Sequence, residues 1–313
     1  MTTTAPRVVD DATVPIRIRE AARKRRSITP GRRVFMVVNA VILTAFALAC
    51  LLPFVNVLAS SLATPGELAT RPFILWPETF SLDAYRYILS TPTIFRALGV
   101  SAIVTVGGTL ISLILTAFMA YALSKKHLKG RRVINFLVLF TMLFSGGMIP
   151  TFIVVKNLGL IDSLWSLIIP VAINAFNFVI MRSFFQGIPE SLEEAARIDG
   201  CSELGVFWRI VLPLSLASIA TIGLFYAVYY WNTYQSAILY INSSEQWPIQ
   251  VLLRQIVIVA SGMNADDSAV DVVPPAQSVR MAVIFVATLP MLIVYPFVQR
   301  YFVKGALVGS IKG

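Results

Sequence analysis

Six long apolar runs, each free of Asp, Glu, Lys, Arg and His, constrain this sequence more than any other feature. A helix needs roughly 17–25 such residues to cross a bilayer core. Strands of a membrane barrel would be shorter and would carry a polar residue at every second position. The sequence therefore predicts an all-α membrane protein with six transmembrane helices. The six runs are Val34–Leu58, Ala97–Leu123, Val133–Val155, Leu164–Met181, Leu214–Trp231 and Met281–Gln299.

Composition agrees with this class. Of the 313 residues, 57% are hydrophobic and only 13% are charged, about half the charged share of a soluble domain. A water-soluble enzyme and a disordered chain are both excluded by these values.

Charge placement predicts the orientation. The segments before the first run, between the second and third, between the fourth and fifth, and after the sixth hold 20 of the 26 Lys and Arg residues. Basic segments stay in the cytoplasm, so we expect both termini to be cytoplasmic in a multi-pass protein of a bacterial cell membrane. The basic stretch Arg17–Arg33 directly precedes a span, which favours retention and contact with anionic membrane lipid over nucleic-acid binding.

The sequence contains none of the common catalytic or nucleotide-binding motifs. The sequence has no phosphate-binding loop, no zinc-protease helix motif and no nucleophile elbow. Cys50, Cys201 and His127 cannot form a zinc set, and no disulfide is expected. We therefore predict a chain that is not an enzyme and binds no cofactor or metal.

The polar residues within or beside the predicted spans are uncharged. Asn174, Asn177, Tyr230 and Asn232 fit two interpretations: hydrogen bonding between helices, or a pathway for a hydroxyl-rich solute. The neutral spans fit an uncharged saccharide, and acidic oligosaccharides stay open. Prolines are expected to bend or break the helices, and they stand at Pro53, Pro150, Pro170, Pro290 and Pro296.

The long inward loop Arg182–Pro213 predicts two short helices. The first begins at Pro189 or Ser191, where Ser191 and Glu194 have capping-box spacing. Gly200 suits a left-handed stop, and Glu203–Leu212 forms the second helix.

The first of these helices is expected to have two different faces. We place Glu193 and Arg197 on one face, as an ion pair four residues apart. The opposite face has small and apolar side chains suited to a partner's groove. This face comprises Leu192, Ala195, Ala196 and Asp199.

The same loop carries a family resemblance. Its fixed spacings resemble the "EAA" loop of permease subunits in binding-protein-dependent ABC importers, and Asp199 and Phe207 fit the sugar-type form. Cys201 departs from it, since a small Ala is usual there. The matching residues are Glu194, Ala195, Ala196, Gly200, Ile210, Val211, Leu212 and Pro213.

Further stretches are similar to the MalG-like carbohydrate permeases, in the branch of LplC and YtcP that is associated with oligosaccharide uptake. The likeness runs from Val34 to the C-terminus. The stretches that carry it are Gly146–Pro150, Lys156–Leu160, Trp165–Pro170, Tyr301–Gly305 and Lys312–Gly313.

The resemblance implies a type I ABC importer (MetI-like) permease fold. It also implies a second homologous permease, two cytoplasmic ATPase subunits that use ATP and Mg, and an external solute-binding protein that delivers a sugar or oligosaccharide. ATPase coupling would fall to Glu194, Ala195, Ala196, Asp199, Gly200, Ile210 and Pro213.

These expectations divide the chain into four parts. We expect a basic cytoplasmic tail at 1–33, the first helix and an external loop at 34–92, the permease core with its loop at 190–213 in 93–300, and a cytoplasmic tail at 301–313. The alternatives are a self-contained secondary carrier, an intramembrane enzyme and a membrane anchor for an ATPase. Spans without ionisable residues disfavour the carrier.

Overall fold

The computed structural model describes residues 30–71, 73–260 and 277–310. The predicted Arg17–Arg33 stretch lies mostly outside them. Among the described residues there is no strand, and the secondary structure is helical. The helices are α1 Pro30–Ser61, α2 Pro65–Thr70, α3 Asp83–Ser90, α4 Pro92–Ser124, α5 Arg131–Leu143, α6 Met148–Asn157, α7 Trp165–Ile168, α8 Ala175–Gln186, α9 Glu190–Ile198, α10 Glu203–Val206, α11 Leu212–Leu214, α12 Leu216–Trp231, α13 Gln235–Tyr240, α14 Ile249–Ala260 and α15 Gln277–Ser310.

The chain divides into two compact units, 1–52 and 53–313. The described part of the first unit is residues 30–52, the apolar beginning of α1. A helix of this length and composition is expected to cross a membrane.

Helix α4 is the centre of the second unit, where it packs along α12 and α8. Its buried stripe has a small residue at every fourth position: Gly108, Ser112, Thr116 and Ala120. Such stripes let membrane helices approach closely, because lipid supplies no hydrophobic force between them.

Three helices are long and apolar enough to cross a membrane, namely Pro30–Ser61, Pro92–Ser124 and Gln277–Pro296 within α15. Three bent helix pairs raise the total to six spans if each pair is one span. The prediction of six spans is therefore confirmed if each bent pair counts as one span.

The predicted continuous span Val133–Val155 is wrong. Helices α5 and α6 meet there at 118°, and residues 144–147 between them are not helical. Gly147, the N-cap of α6, has a φ of +85°, a conformation that glycine adopts at little cost. Thirteen residues of α5 span about 20 Å, which is too short for a bilayer core.

Two further spans bend, and the sequence analysis expected only the first of these bends. The fourth turns by 53° between the short turn around Pro170 and α8, as expected for that proline. The fifth begins at Leu216, since an 82° bend at Ser215 assigns Leu214 to the preceding loop.

The prolines of the first and last long helices do not break them. Pro53 lies inside α1, and Pro290 and Pro296 lie inside α15, which both continue through them. Membrane helices tolerate proline where neighbouring groups satisfy the freed carbonyls. Helix α15 also runs through Tyr301 to Ser310, beyond the predicted end of the span; residues 311–313 lie outside the described part.

Candidate coupling site

Helix α9 lies in the loop between α8 and α12. Its N-cap is Pro189, which makes no side-chain cap hydrogen bond, so the predicted capping box of Ser191 and Glu194 is wrong. Proline pre-sets a helical entry without a donor to satisfy, and Glu190 and Glu193 occupy the positive first turn as expected.

The turn after α9 is a complete Schellman motif. The Gly200 N–H donates to Arg197 O at 3.0 Å, and the Cys201 N–H donates to Ala196 O at 2.9 Å. Gly200 has a φ of +83°, which confirms the predicted left-handed stop. Ser202 then caps α10 by accepting from the Gly205 N–H, a cap that the sequence analysis missed although Ser is a preferred N-cap residue.

The face of α9 that points away from the core is small and apolar. Leu192, Ala195 and Asp199 are exposed as predicted, and Ile198 is 85% exposed. An isoleucine in that position is costly in water, because it leaves a branched apolar side chain hydrated. This face therefore has the form of a docking surface.

The inward face corrects the prediction for two residues. Ala196 is buried in the core rather than on the outer face, and Glu193 is only 4% exposed. The two lie three residues apart, one helical turn, and so share a side. The predicted Glu193–Arg197 ion pair is present, with an N–O distance of 3.4 Å.

A cluster of charges holds this inward face. Lys125, at the end of α4, forms an ion pair with Glu193 and lies over the ring of Tyr121, 4.3 Å from its centroid. Arg197 donates from Nε to Glu203 Oε1 at 2.7 Å, and this hydrogen bond holds the pKa of Glu203 below its ordinary value. The charge cluster Lys125, Glu193, Arg197 and Glu203 therefore ties α9 to both α4 and α10.

The path from α10 to the fifth span is not the plain helix predicted for Glu203–Leu212. Residues Phe207–Val211 form a π-turn, in which the Leu212 N–H donates to Phe207 O, five residues back. Pro213 has no N–H to continue an α-helix. Ile210 is partly buried against the core and Pro213 is exposed. Single π-turns are frequent at functional sites.

The four predicted pathway residues make contacts between or within helices. Tyr230 is 1% exposed, and its hydroxyl pairs with Ser112 Oγ at 2.7 Å. Asn174 caps α8 by accepting from the Asn177 N–H, and Asn232 donates to Val228 O in its own helix. Only the Tyr230 contact is a bond between helices, the side-chain contacts of Asn174 and Asn232 are local, and contact with a solute stays a prediction.

A second tyrosine, which sequence reasoning did not single out for this role, completes the contact between α4 and α12. The Tyr226 hydroxyl pairs with Thr116 Oγ1 at 2.8 Å and accepts from the Asn174 N–H at 2.9 Å. The four-residue spacing of Ser112 and Thr116, matched by that of Tyr226 and Tyr230, is the signal that could have found it.

At the other end of the bundle, Asp162 joins two loops. Its carboxylate accepts from the Ser243 hydroxyl at 2.6 Å and from the backbone N–H of Asn242 and Ser243. These bonds lower the pKa of Asp162. They hold the loop after α6 against the segment between α13 and α14.

The chain is similar to known transport proteins. It is 63% identical to the polygalacturonan/rhamnogalacturonan transport system permease protein YtcP of Bacillus subtilis (strain 168), over 87% of this chain and 96% of that protein. It is 54% identical to Protein LplC of the same organism, over 91% and 97%.

A solved structure shares the fold. It is the crystal structure of a bacterial ABC transporter involved in the import of the acidic polysaccharide alginate. The match has a TM-score of 0.80 and 35% sequence identity, and it covers 88% of this chain and 98% of the other.

The family model described as "Binding-protein-dependent transport system inner membrane component" matches residues 112–308. This range contains α9, the charge cluster and both tyrosine contacts. The chain therefore belongs to the family of inner-membrane components of binding-protein-dependent transport systems.

Proposed function

We propose that this chain is the permease subunit of an ATP-driven importer of oligosaccharides in a bacterial plasma membrane. The observation that carries the proposal is the exposed face of α9, where Ile198 and Leu192 stand out beside the left-handed turn at Gly200. Permeases of sugars are among the relatives, and an isolated loop helix with an unpartnered apolar face requires a protein to cover it.

The covering protein is an ATPase subunit. Two such subunits, which use ATP and Mg, lie on the cytoplasmic side with both termini of this chain. A second homologous permease supplies the other half of the pathway, and a solute-binding protein delivers the sugar to the opposite side. This chain supplies no residue for ATP hydrolysis, and its described residues contain no cluster of potential metal ligands.

The transported sugar is an acidic oligosaccharide. Both the polygalacturonan/rhamnogalacturonan permease and the alginate importer act on polymers that contain uronic acids, and the first shares nearly two thirds of its residues with this chain. The support for an acidic cargo comes from these two relatives, because the charge-free spans by themselves fit an uncharged saccharide.

The face of α9 receives the motion of the ATPase. Leu192, Ala195 and Ile198 enter its cleft, Glu194 and Asp199 meet its rim, and Gly200 lets the chain turn back towards the bundle. Closure of the ATPase pair moves α9 as a rigid piece, since the Schellman turn fixes its C-terminal end and the charge cluster fixes its inward face. The spans attached to it, α8 and α12, then change their tilt.

Uptake of radiolabelled oligogalacturonides into vesicles with the assembled transporter tests this function. Glu194→Lys and Gly200→Val are expected to abolish ATP-driven uptake while the chain still inserts; a β-branched residue at a φ of +83° costs about 1–2 kcal/mol or more. Glu78→Lys, the same charge change on an exposed loop, serves as control. Normal uptake by both loop variants would refute the coupling assignment.

A second arm separates the importer from a secondary carrier. Vesicles that contain only this chain are given an ion gradient and no ATPase. We expect no uptake, because the six apolar runs contain no Asp, Glu, Lys, Arg or His that could couple transport to an ion gradient. Uptake under these conditions would favour a self-contained carrier.

A further inference from the structure

A basic groove of about 960 Å³ opens beside the N-terminus of α5, at the same end of the bundle as α9. It lies between the α4–α5 connection, α5 and the end of α8. Neither the coupling site nor the proposed pathway uses it. The basic groove is lined by Lys126, Leu128, Gly130, Arg131, Arg132, Val133, Asn135, Phe136, Leu139 and Arg182.

The charged side chains that line the basic groove are all positive. Four of its lining residues are cationic and none is acidic. The first turn of α5 has no acidic residue, and Gly130 caps it without a side chain, so the positive end of the helix dipole adds to the four charges. Lys126 approaches Glu190 at 3.4 Å, but both side chains are exposed and such a pair is weak.

Arg182 is fixed by one hydrogen bond and keeps a second hydrogen-bond donor without a partner among the described residues. Its Nη1 donates to Asn135 Oδ1 at 2.9 Å, which fixes the guanidinium against α5. Its Nε is buried and has no hydrogen-bond partner among the described residues. Arg131 is close enough for its charge to act on Arg182. An anion in the groove would relieve this repulsion and offer acceptors to the guanidinium.

One wall of the basic groove is apolar. Arg132, Phe136 and Leu139 follow one another at helical spacing on α5, and Phe136 and Leu139 are exposed in this chain. Leu139 lies about 10 Å further along the helix axis than Arg132. The groove therefore places cations at the helix end and apolar surface one to two turns deeper, which matches a ligand with an anionic head and a hydrocarbon tail.

We propose that the basic groove binds the headgroup of an anionic phospholipid. The phosphodiester meets Arg131, Arg132 and Arg182 at the level of the membrane surface, and the first part of an acyl chain lies along Phe136 and Leu139. Basic pockets between membrane helices are suited to such headgroups. The lipid pins the start of α5, whose other end is the broken third span.

Native mass spectrometry of the purified full-length chain with its co-expressed partner subunits tests the site. The probe is phosphatidylglycerol titrated against phosphatidylcholine. Arg131→Gln combined with Arg182→Gln is expected to weaken retention of phosphatidylglycerol by roughly fivefold per charge removed, about 25-fold in all. Arg131→Gln with Arg132→Gln leaves the Arg182–Asn135 bond intact, and a similar loss is expected.

Lys129→Gln with Arg209→Gln is the matched control. Both residues are exposed at the same end of the bundle and neither lines the groove, so retention is expected to stay unchanged. An equal loss in this control would reduce the effect to the general basic surface and overturn the proposal. Unchanged retention in the two groove variants would overturn it as well.

Competition identifies the occupant. Neither inorganic phosphate nor an oligogalacturonide is expected to displace the lipid, since neither has a tail for the apolar wall. Displacement by phosphate would make the groove a site for a free anion, and displacement by the oligogalacturonide would make it part of the sugar pathway. Either result would overturn the lipid assignment. The site does not depend on the proposed substrate, because lipid retention is measured without transport.

Discussion

Helix α4 is joined to the rest of the chain in two ways that differ in chemistry. At its end, Lys125 pairs with Glu193 in the loop. Within its buried stripe, Ser112 and Thr116 pair with the hydroxyls of Tyr230 and Tyr226. Charges are stable only where water or a paired ion is near, whereas neutral hydroxyls can bond inside a membrane. The same helix is thus fixed by ion pairs at the surface and by hydroxyls inside.

The largest expected effect comes from removing the buried acid of the charge cluster. Glu193→Ala leaves Lys125, which is mostly buried, without its carboxylate, and breaking such a pair from one side costs about 3 kcal/mol. We expect a lower unfolding temperature of the purified complex and ATP hydrolysis that no longer drives uptake, because α9 is released from α4.

A charge exchange separates coupling from mere stability. Lys125→Glu together with Glu193→Lys restores an opposite pair, and we expect it to recover part of the uptake that either single reversal loses. Glu190→Ala, on the exposed side of the same helix, is the control and is expected to be nearly neutral. No recovery in the exchange would contradict the role of the pair.

The next effect tests the close approach inside the bundle. A Cβ at Gly108 would lie 2.8 Å from two ring atoms of Tyr230, whereas a Cβ at Gly107 meets nothing within 4 Å. Gly108→Ala is therefore expected to destabilise the chain by about 1–3 kcal/mol. The Tyr230 ring cannot swing away easily, because Ser112 holds its hydroxyl.

Gly107→Ala is the neighbouring control on the same helix. It gains helix propensity without a clash, so its unfolding temperature is expected to equal or exceed that of the original chain. Equal destabilisation by the two variants, measured by thermal unfolding in detergent, would mean that α12 does not approach α4 through Gly108.

Removal of a single hydroxyl is expected to have a smaller effect on stability. Tyr226→Phe removes the bond with Thr116 and leaves the Asn174 N–H without its acceptor. A side-chain hydrogen bond in a membrane stabilises a protein by about 0.6 kcal/mol on average and by about 1.7 kcal/mol at most. Because Tyr226→Phe loses two bonds, we expect a destabilisation near the larger value. Tyr229→Phe, on the exposed side of α12, is the control; a larger loss there would reverse the assignment.

Different parts of the molecule were predictable to different degrees. The apolar runs located three long helices and three bent helix pairs, which make six spans if each pair is one span. The position of Gly200 predicted the turn after α9. Both depend on local chemistry. The break at Gly147 was missed, since an apolar run does not show where a backbone reverses. Ala196 was placed on the wrong face because small size suited either side, and only its packing into the buried core decides.

The contacts between distant residues were not predicted. Lys125 and Glu193 are 68 positions apart, and neither residue type identifies its partner. The hydroxyls of Ser112 and Thr116 were part of an apolar run until the structure brought the tyrosines to them. Pairings of this kind depend on which helices meet, and that follows from the whole topology.

The smallest expected effect is a pH dependence confined to the loop. The bond from Arg197 lowers the pKa of Glu203 in the folded chain. A depressed folded pKa contributes stability above the unfolded pKa, near 4.3, and this contribution is lost as the pH falls through the lower folded value. Hydrogen exchange of α9 and α10 is expected to rise as the pH falls below about 4, after correction for the intrinsic rate. Glu203→Gln should flatten this rise while leaving exchange in α12 unchanged; an unaltered profile in Glu203→Gln would assign the rise to another carboxylate.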